Sequence, residues 1–184
     1  LQEQDVIELI RDYARMMHIL RIVESLGLPD WCVCAGFVRS RVWDFLHGFT
    51  ETRLPDVDVV YCDQDYIYES IEKQYERSLW QLDCSVPWSV KNQARMHTKN
   101  GHAPYTSTAD GLANFPEVCT AIGVYLNSDG DLALVAPYGF NDWGNLFVRS
   151  IPFFKSGDRR SIYEQRISTK KWEATWHRLR IIHC

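Results

Sequence analysis

Asp56 and Asp58, one residue apart in the run DVDVVY, are the side chains of this chain best suited to chemistry. Side chains alternate along an extended segment, so the two carboxylates point together while Val57, Val59 and Tyr61 point to the other side. Such a pair can grip a divalent cation. Mg²⁺ in particular takes one or two carboxylates and completes its shell with waters and substrate phosphate oxygens. Upstream, Gly36 opens the segment GFVRSRVWDFLHG, where a turn leads into a helix whose first N–H groups lack intrahelical partners and can receive phosphate. Arg39 falls in the first turn of that helix, and its planar guanidinium can reach a γ-phosphate with two parallel hydrogen bonds. A metal-gripping strand behind a phosphate-binding helix terminus suggests nucleotidyl transfer from a nucleoside triphosphate, with Mg²⁺ as cofactor.

The elements that must position these groups follow from periodicity and punctuation. Residues 31–35 read as a short buried strand, Gly36 turns it into a helix reaching Gly48, and Leu54-Pro55 leads into a strand over 57–61. Before this unit, residues 3–26 read as one amphipathic helix, with Val6, Leu9, Ile10, Tyr13, Met17 and Leu20 at three- and four-residue spacing. After it come a helix over 65–82, a strand opened by Pro87, and a short helical or loop segment over 91–97 closed by Asn100-Gly101. Ser107 to Asp110 has the spacing of a capping box before a short helix. The turn Asn127-Ser128-Asp129-Gly130-Asp131 joins a hairpin, and residues 161–179 read as a closing helix with Ile162, Ile167, Trp172 and Trp176 facing inward. No repeat or linker interrupts the chain, which reads as one domain over 1–184.

The Gly-x-x-Arg turn, the helix and the Asp-x-Asp strand resemble the DNA polymerase β nucleotidyltransferase superfamily, in the form seen in tRNA nucleotidyltransferases and bacterial poly(A) polymerases. Phe37 stands where that superfamily has a second small residue. Between Arg39 and Leu46-His47-Gly48 there are about four additional residues, roughly one helical turn. Together with WSVKNQARMH at 88–97, Phe115-Pro116-Glu117, Ala121-Ile122-Gly123-Val124 and Ala136-Pro137-Tyr138-Gly139, the chain is similar, from about residue 10 to about residue 180, to an uncharacterised nucleotidyltransferase-like family of bacteria and some fungi. The resemblance implies an α/β (α+β) fold, a minimal nucleotidyltransferase core whose mixed sheet is flanked by helices. It implies metal ligation by Asp56 and Asp58 and nucleotide contacts at Gly36, Phe37, Arg39 and Asn92. Active members usually carry a third carboxylate on a neighbouring strand. The strand around 86–92 offers Lys91 and Asn92 instead, and Lys91 beside the aspartates would neutralise phosphate charge. Asp142 and Glu117 are the other carboxylates considered for the missing ligand.

Composition narrows the classes. With 184 residues, 46% hydrophobic and 24% charged content, the chain can bury a sizeable core. A net charge of −4 with scattered acids lacks the footprint of a general nucleic-acid binder; Arg159-Arg160 with Lys170-Lys171 is the one basic candidate, read as a solvated helix face. No apolar run approaches the roughly 20 residues of a membrane span. The first residues lack a secretory leader, so a cytoplasmic setting is expected. The six cysteines form no CxxC pair and read as reduced core residues. The expected partner is a nucleoside triphosphate, with the acceptor hydroxyl unspecified. Two rival readings remain: a catalytically inactive nucleotide-binding domain that keeps the fold, and a protein-interaction domain presenting Trp80, Trp143 and Trp172 on one face.

Overall fold

A computed structural model describes residues 1–184, the side chain of Asn100 excepted. Its centre is a five-stranded mixed sheet in the order β3-β2-β1-β4-β5, built from β1 (Cys32–Cys34), β2 (Val57–Tyr61), β3 (Trp88–Asn92), β4 (Gly123–Leu126) and β5 (Leu132–Val135). β1 runs antiparallel to both β2 and β4, β4 antiparallel to β5, and β2 parallel to β3. This is the mixed, helix-flanked sheet that the sequence implies.

The alternation of β2 divides the molecule. Val57, Val59 and Tyr61 enter the main core with Val33, Val90, Val124 and the apolar faces of α1 (Glu3–Arg11), α2 (Ala14–Glu24), α3 (Gly36–His47) and α4 (Glu69–Leu82). Val60 enters a smaller cluster on the other face with Cys32, Cys34 and Leu112, the last from α6 (Thr108–Ala113). Asp58, two residues before Val60 and paired in register with Cys34, stands on that second face.

Beyond α5 (Gln93–Asn100) and α6, the chain builds a third layer from α7 (Asn141–Gly144), β6 (Phe147–Val148), α8 (Asp158–Lys170) and β7 (Arg180–Ile181), with β6 parallel to β7. Its core holds Val148, Ile151, Tyr163, Ile167, Trp172 and Trp176, and Trp43 of α3 completes it. One helix therefore belongs to two cores: Phe37, Val38 and Val42 face the sheet while Trp43 faces the C-terminal layer.

Two helices differ from the sequence expectation. The expected 3–26 helix breaks after Arg11, where Tyr13 is extended at φ −107° and ψ 97°. The break lets the Tyr13 ring lie 4.5 Å from the Arg41 guanidinium, while Arg41 Nε donates to the carbonyl of Leu9 at 3.3 Å. The closing helix starts at Asp158 and stops at Lys170, because Lys171 turns left-handed at φ 46° and the chain returns as β7. Trp172 and Trp176 are buried as expected, but Ile162 is 47% exposed.

Candidate functional site

The turn between β1 and α3 positions the first functional groups. Ala35 is held at φ 52° and ψ −115°, outside the ordinary range of an L-residue, and its N–H donates to Ile122 of the neighbouring chain segment at 2.9 Å. Gly36, by contrast, is not in the left-handed region. A methyl group there would lie 3.4 Å from Nη2 of Arg39 and 3.9 Å from Leu54, ordinary contact distances, and would stand beside Arg39 at the helix terminus. No side chain caps that terminus, which leaves its first N–H groups to an incoming anion.

Arg39 is 8% exposed and lies against two indoles that meet edge to face, its guanidinium carbon 5.0 Å from the Trp43 ring centre and 4.4 Å from that of Trp172. Burial lowers its pKa from the usual arginine value, and its Nε is buried without a hydrogen-bond partner. The surface salt bridges that would make Arg39 structural are absent, since Asp44 is bonded to Thr52 and Trp176 and Glu51 pairs with Arg15. A buried cation stacked on aromatic faces with an unpaired donor is suited to a multiply charged oxyanion.

Asp56 is exposed just before β2, and Asp58 is partly buried within it. Burial, then the neighbouring charge of Asp56, raise the Asp58 carboxyl above the ordinary range, against a hydrogen bond from Ser89. Ser89 lies beside Asp58 in the β2–β3 register. No carboxylate occupies that place, and among the described residues no group of three or more His, Cys, Asp or Glu side chains is arranged to hold a metal. Glu117 is bound by Arg166 at 2.6 Å and by the Thr120 hydroxyl at 2.8 Å, and Asp142 is paired with Arg149 at 2.6 Å.

These groups open into one cleft of about 730 Å³, lined by Gly36, Arg39, Asp56 and Asp58 on the sheet side and by Arg159, Ile162, Arg166 and Lys170 on α8. The α8 residues recur at helical spacing, so one face of that helix forms the opposite wall. Phe115, Phe153 and Trp172 supply aromatic surface, and Arg53 and Lys99 add charge, so that six basic side chains surround two carboxylates. A wider groove of about 1080 Å³ shares Arg53 and Pro55 with the cleft but holds neither the aspartates nor Gly36. Its size is no argument for chemistry there.

The other expected site residues lie elsewhere. The Lys91 ammonium sits 3.6 Å from Glu72 and 3.7 Å from Glu76 of α4, outside the lining of the cleft. Asn92 is buried at the end of β3, where its side chain accepts from the N–H groups of Asp63 and Ala94 and donates to the carbonyls of Asp63 and Tyr66. Phe37 points its ring into the main core, so only its backbone faces the turn. Arg159 and Lys170 stand out in the sequence as basic candidates but read there as a solvated helix face; their spacing with Ile162 and Arg166 places all four on the wall of the cleft.

The nucleotidyltransferase family model matches residues 21–181. The chain belongs to the nucleotidyltransferase family. Among solved structures, it is similar to an NMR structure described as revealing a CCA-adding enzyme head domain, with 35% identity, a TM-score of 0.88, and coverage of 100% of this chain and 97% of that one. The complex of a CCA-adding enzyme with CTP shares the fold at 13% identity and a TM-score of 0.61; the match covers 99% of this chain but 43% of the enzyme. A complex of a CCA-adding enzyme with ATP matches at 15% identity and a TM-score of 0.52, over 90% of this chain and 39% of the other. No curated protein matches the chain. The third carboxylate usual on the neighbouring strand is not found beside Asp58, where Ser89 stands in register. No helix among the described residues is long and apolar enough to cross a membrane.

Proposed function

We propose that the cleft binds a nucleoside triphosphate and transfers its nucleoside monophosphate to an acceptor hydroxyl, with Asp56 and Asp58 as the metal-binding pair. The observation that carries this reading is Arg39: a guanidinium with no carboxylate partner among the described residues, its Nη2 beside Gly36, in the same cleft as an uncapped helix terminus and two carboxylates. The oxygen donors suit a hard cation such as Mg²⁺, which takes carboxylates together with phosphate oxygens. Mutual repulsion of Asp56 and Asp58 is relieved by a bound cation. When bound, the metal supplies charge neutralisation at the reacting phosphate. Gly36 and the N–H groups behind it cradle the outer phosphates, and Arg39 donates to them. Lys170, on the facing wall, offsets the charge that develops on the departing pyrophosphate, while Arg166 beside it is held by Glu117. Catalysis of this kind is positioning plus electrostatics. The CTP and ATP complexes of the CCA-adding enzymes support a nucleotide as the ligand.

The test is titration of the protein with Mg²⁺ and each of the four NTPs, followed by amide chemical shifts. Shifts are expected at Gly36, Arg39, Asp56 and Asp58, and are expected to vanish in Asp56→Asn/Asp58→Asn. Gly36→Ala is expected to stay folded, its methyl group making only ordinary contact with Arg39, and to bind about tenfold more weakly, because that methyl group takes space beside the helix terminus and costs about one charge-assisted hydrogen bond to phosphate. Shifts that persist in the double mutant would sink the metal assignment.

Ser89 in place of a third carboxylate favours a second reading, a domain that binds nucleotide without turning it over. That reading predicts the same shifts with no pyrophosphate release when candidate acceptors are supplied. The protein-interaction reading loses its surface: Trp143 and Trp172 are buried, and of the three tryptophans only Trp80 is exposed.

A further inference from the structure

Asp44 is a buried carboxylate that the proposed mechanism does not use, and it is bonded to both walls of the cleft. It lies on α3, five residues or roughly one and a half turns beyond Arg39, and is 2% exposed. One oxygen accepts from the Thr52 backbone N–H at 2.8 Å; the other accepts from the Thr52 hydroxyl at 2.6 Å and from the Trp176 indole N–H at 2.8 Å. Its partners belong to two different walls. Thr52 begins the loop that carries Asp56 into β2, and both residues line the cleft. Trp176 packs 5.0 Å from Trp43, one of the two rings that hold Arg39. Three donors on one carboxylate satisfy the charge without a counter-ion, and removing any one leaves part of it unpaired in a buried place.

We infer that Asp44 is a positioning residue which sets the metal-bearing loop and the arginine box at one fixed separation, so that the metal end and the phosphate end of the cleft are adjusted together. The coupling passes through a single side chain bonded to both walls, which is a physical connection rather than mere proximity. Its consequence for ligand handling rests on the nucleotide reading above; the coupling itself does not.

Three conservative variants separate the contributions. Thr52→Val removes the hydroxyl donor and keeps shape, Thr52→Ser retains the donor, and Trp176→Phe removes the indole N–H while keeping a ring against Trp43. Amide hydrogen exchange and chemical shifts are recorded first, without ligand. Trp176→Phe is expected to speed exchange of the Thr52 amide and to shift the Asp56 resonance, although the substituted ring is on the other wall. The Mg²⁺ concentration for half-saturation is then measured with ATP and with CTP. Thr52→Val and Trp176→Phe are each expected to raise it roughly two- to thirtyfold, the span for coupling carried through packed and hydrogen-bonded groups. Thr52→Ser is expected to match the wild type. If Trp176→Phe lowers the melting temperature but leaves residues 52–58 unshifted, Asp44 is only structural and the inference falls. If those residues shift while wild-type protein binds neither nucleotide, the coupling stands and the nucleotide reading falls.

Discussion

At the scale of single residues, the site holds two conformational or electrostatic costs that the fold does not require. Asp58 is the first. Its carboxyl is raised by burial and by Asp56, so the folded protein holds that proton to higher pH than the unfolded chain does. Stability therefore falls as pH rises from the unfolded carboxylate range through the folded pKa, and at neutral pH ionised Asp58 is destabilising. Asp58→Asn is expected to raise the melting temperature at neutral pH, to lose that advantage at a pH below the carboxylate range, and to abolish Mg²⁺-dependent nucleotide binding. A melting temperature lowered at neutral pH would show that the hydrogen bond from Ser89 outweighs the repulsion. Ala35 is the second. At φ 52° and ψ −115° an L-residue carries about 1–3 kcal/mol of strain, while glycine at the same place gains unfolded-state entropy worth about 0.4–1 kcal/mol. Ala35→Gly should then stabilise the protein by about 1 kcal/mol in urea unfolding.

At the scale of elements, α4 guards the edge of the sheet. β3 is an outer strand whose outward N–H groups would otherwise be open to another chain. Glu76 accepts from the Val90 N–H at 3.0 Å and Glu72 from the Asn92 N–H at 3.0 Å, and Arg95 binds Glu72 at 2.7 Å. Lys91 joins this cluster from its more exposed side. Glu72→Ala should cost about 3 kcal/mol, because it orphans a strand N–H and part of a guanidinium in a buried place. Lys91→Ala should cost only about 0.5 kcal/mol, as partly exposed ion pairs do, and leave nucleotide binding at the wild-type level; a large loss of binding would return Lys91 to the cleft. This is where the sequence is least legible. The turn, α3 and β2 are written locally, in Gly36, Gly48 and the Val57-Val59-Tyr61 alternation, and they appear within a residue or two of their expected limits. The side a lysine takes at a sheet edge depends on which helix lies there, and no spacing encodes it. The break at Tyr13 and the stop at Lys171 are likewise set by tertiary partners, Arg41 in the one case and the return strand in the other, without glycine or proline to announce them.

At the scale of the whole molecule, charge is divided unevenly. The chain carries −4 overall, yet its cleft gathers Arg39, Arg53, Lys99, Arg159, Arg166 and Lys170 around two aspartates. Glu117 offsets Arg166 at the wall itself, and other acids lie away from the cleft, as in Glu72 and Glu76 on α4 and the exposed Asp129 and Asp131 of the β4–β5 turn. A concave basic site in an acidic body attracts a compact polyanion and repels a long one, because an extended phosphate backbone must also pass over the acidic surface. The two core clusters make this arrangement rigid: α3 contributes to both, so the walls bearing Arg39 and Arg166 are parts of one packed body rather than of a loose appendage. Binding of an NTP should thus weaken with added salt, by about fivefold between about 0.05 and 0.3 M, as the screening length shortens. A single-stranded oligonucleotide should compete poorly at every ionic strength, and fluorescence anisotropy with a labelled NTP measures both. An oligonucleotide that displaces the nucleotide at low salt would mean that the basic field extends beyond the cleft, out along the exposed Arg160 of α8 and Lys171 just past its end, and that the acidic body does not exclude a polymer.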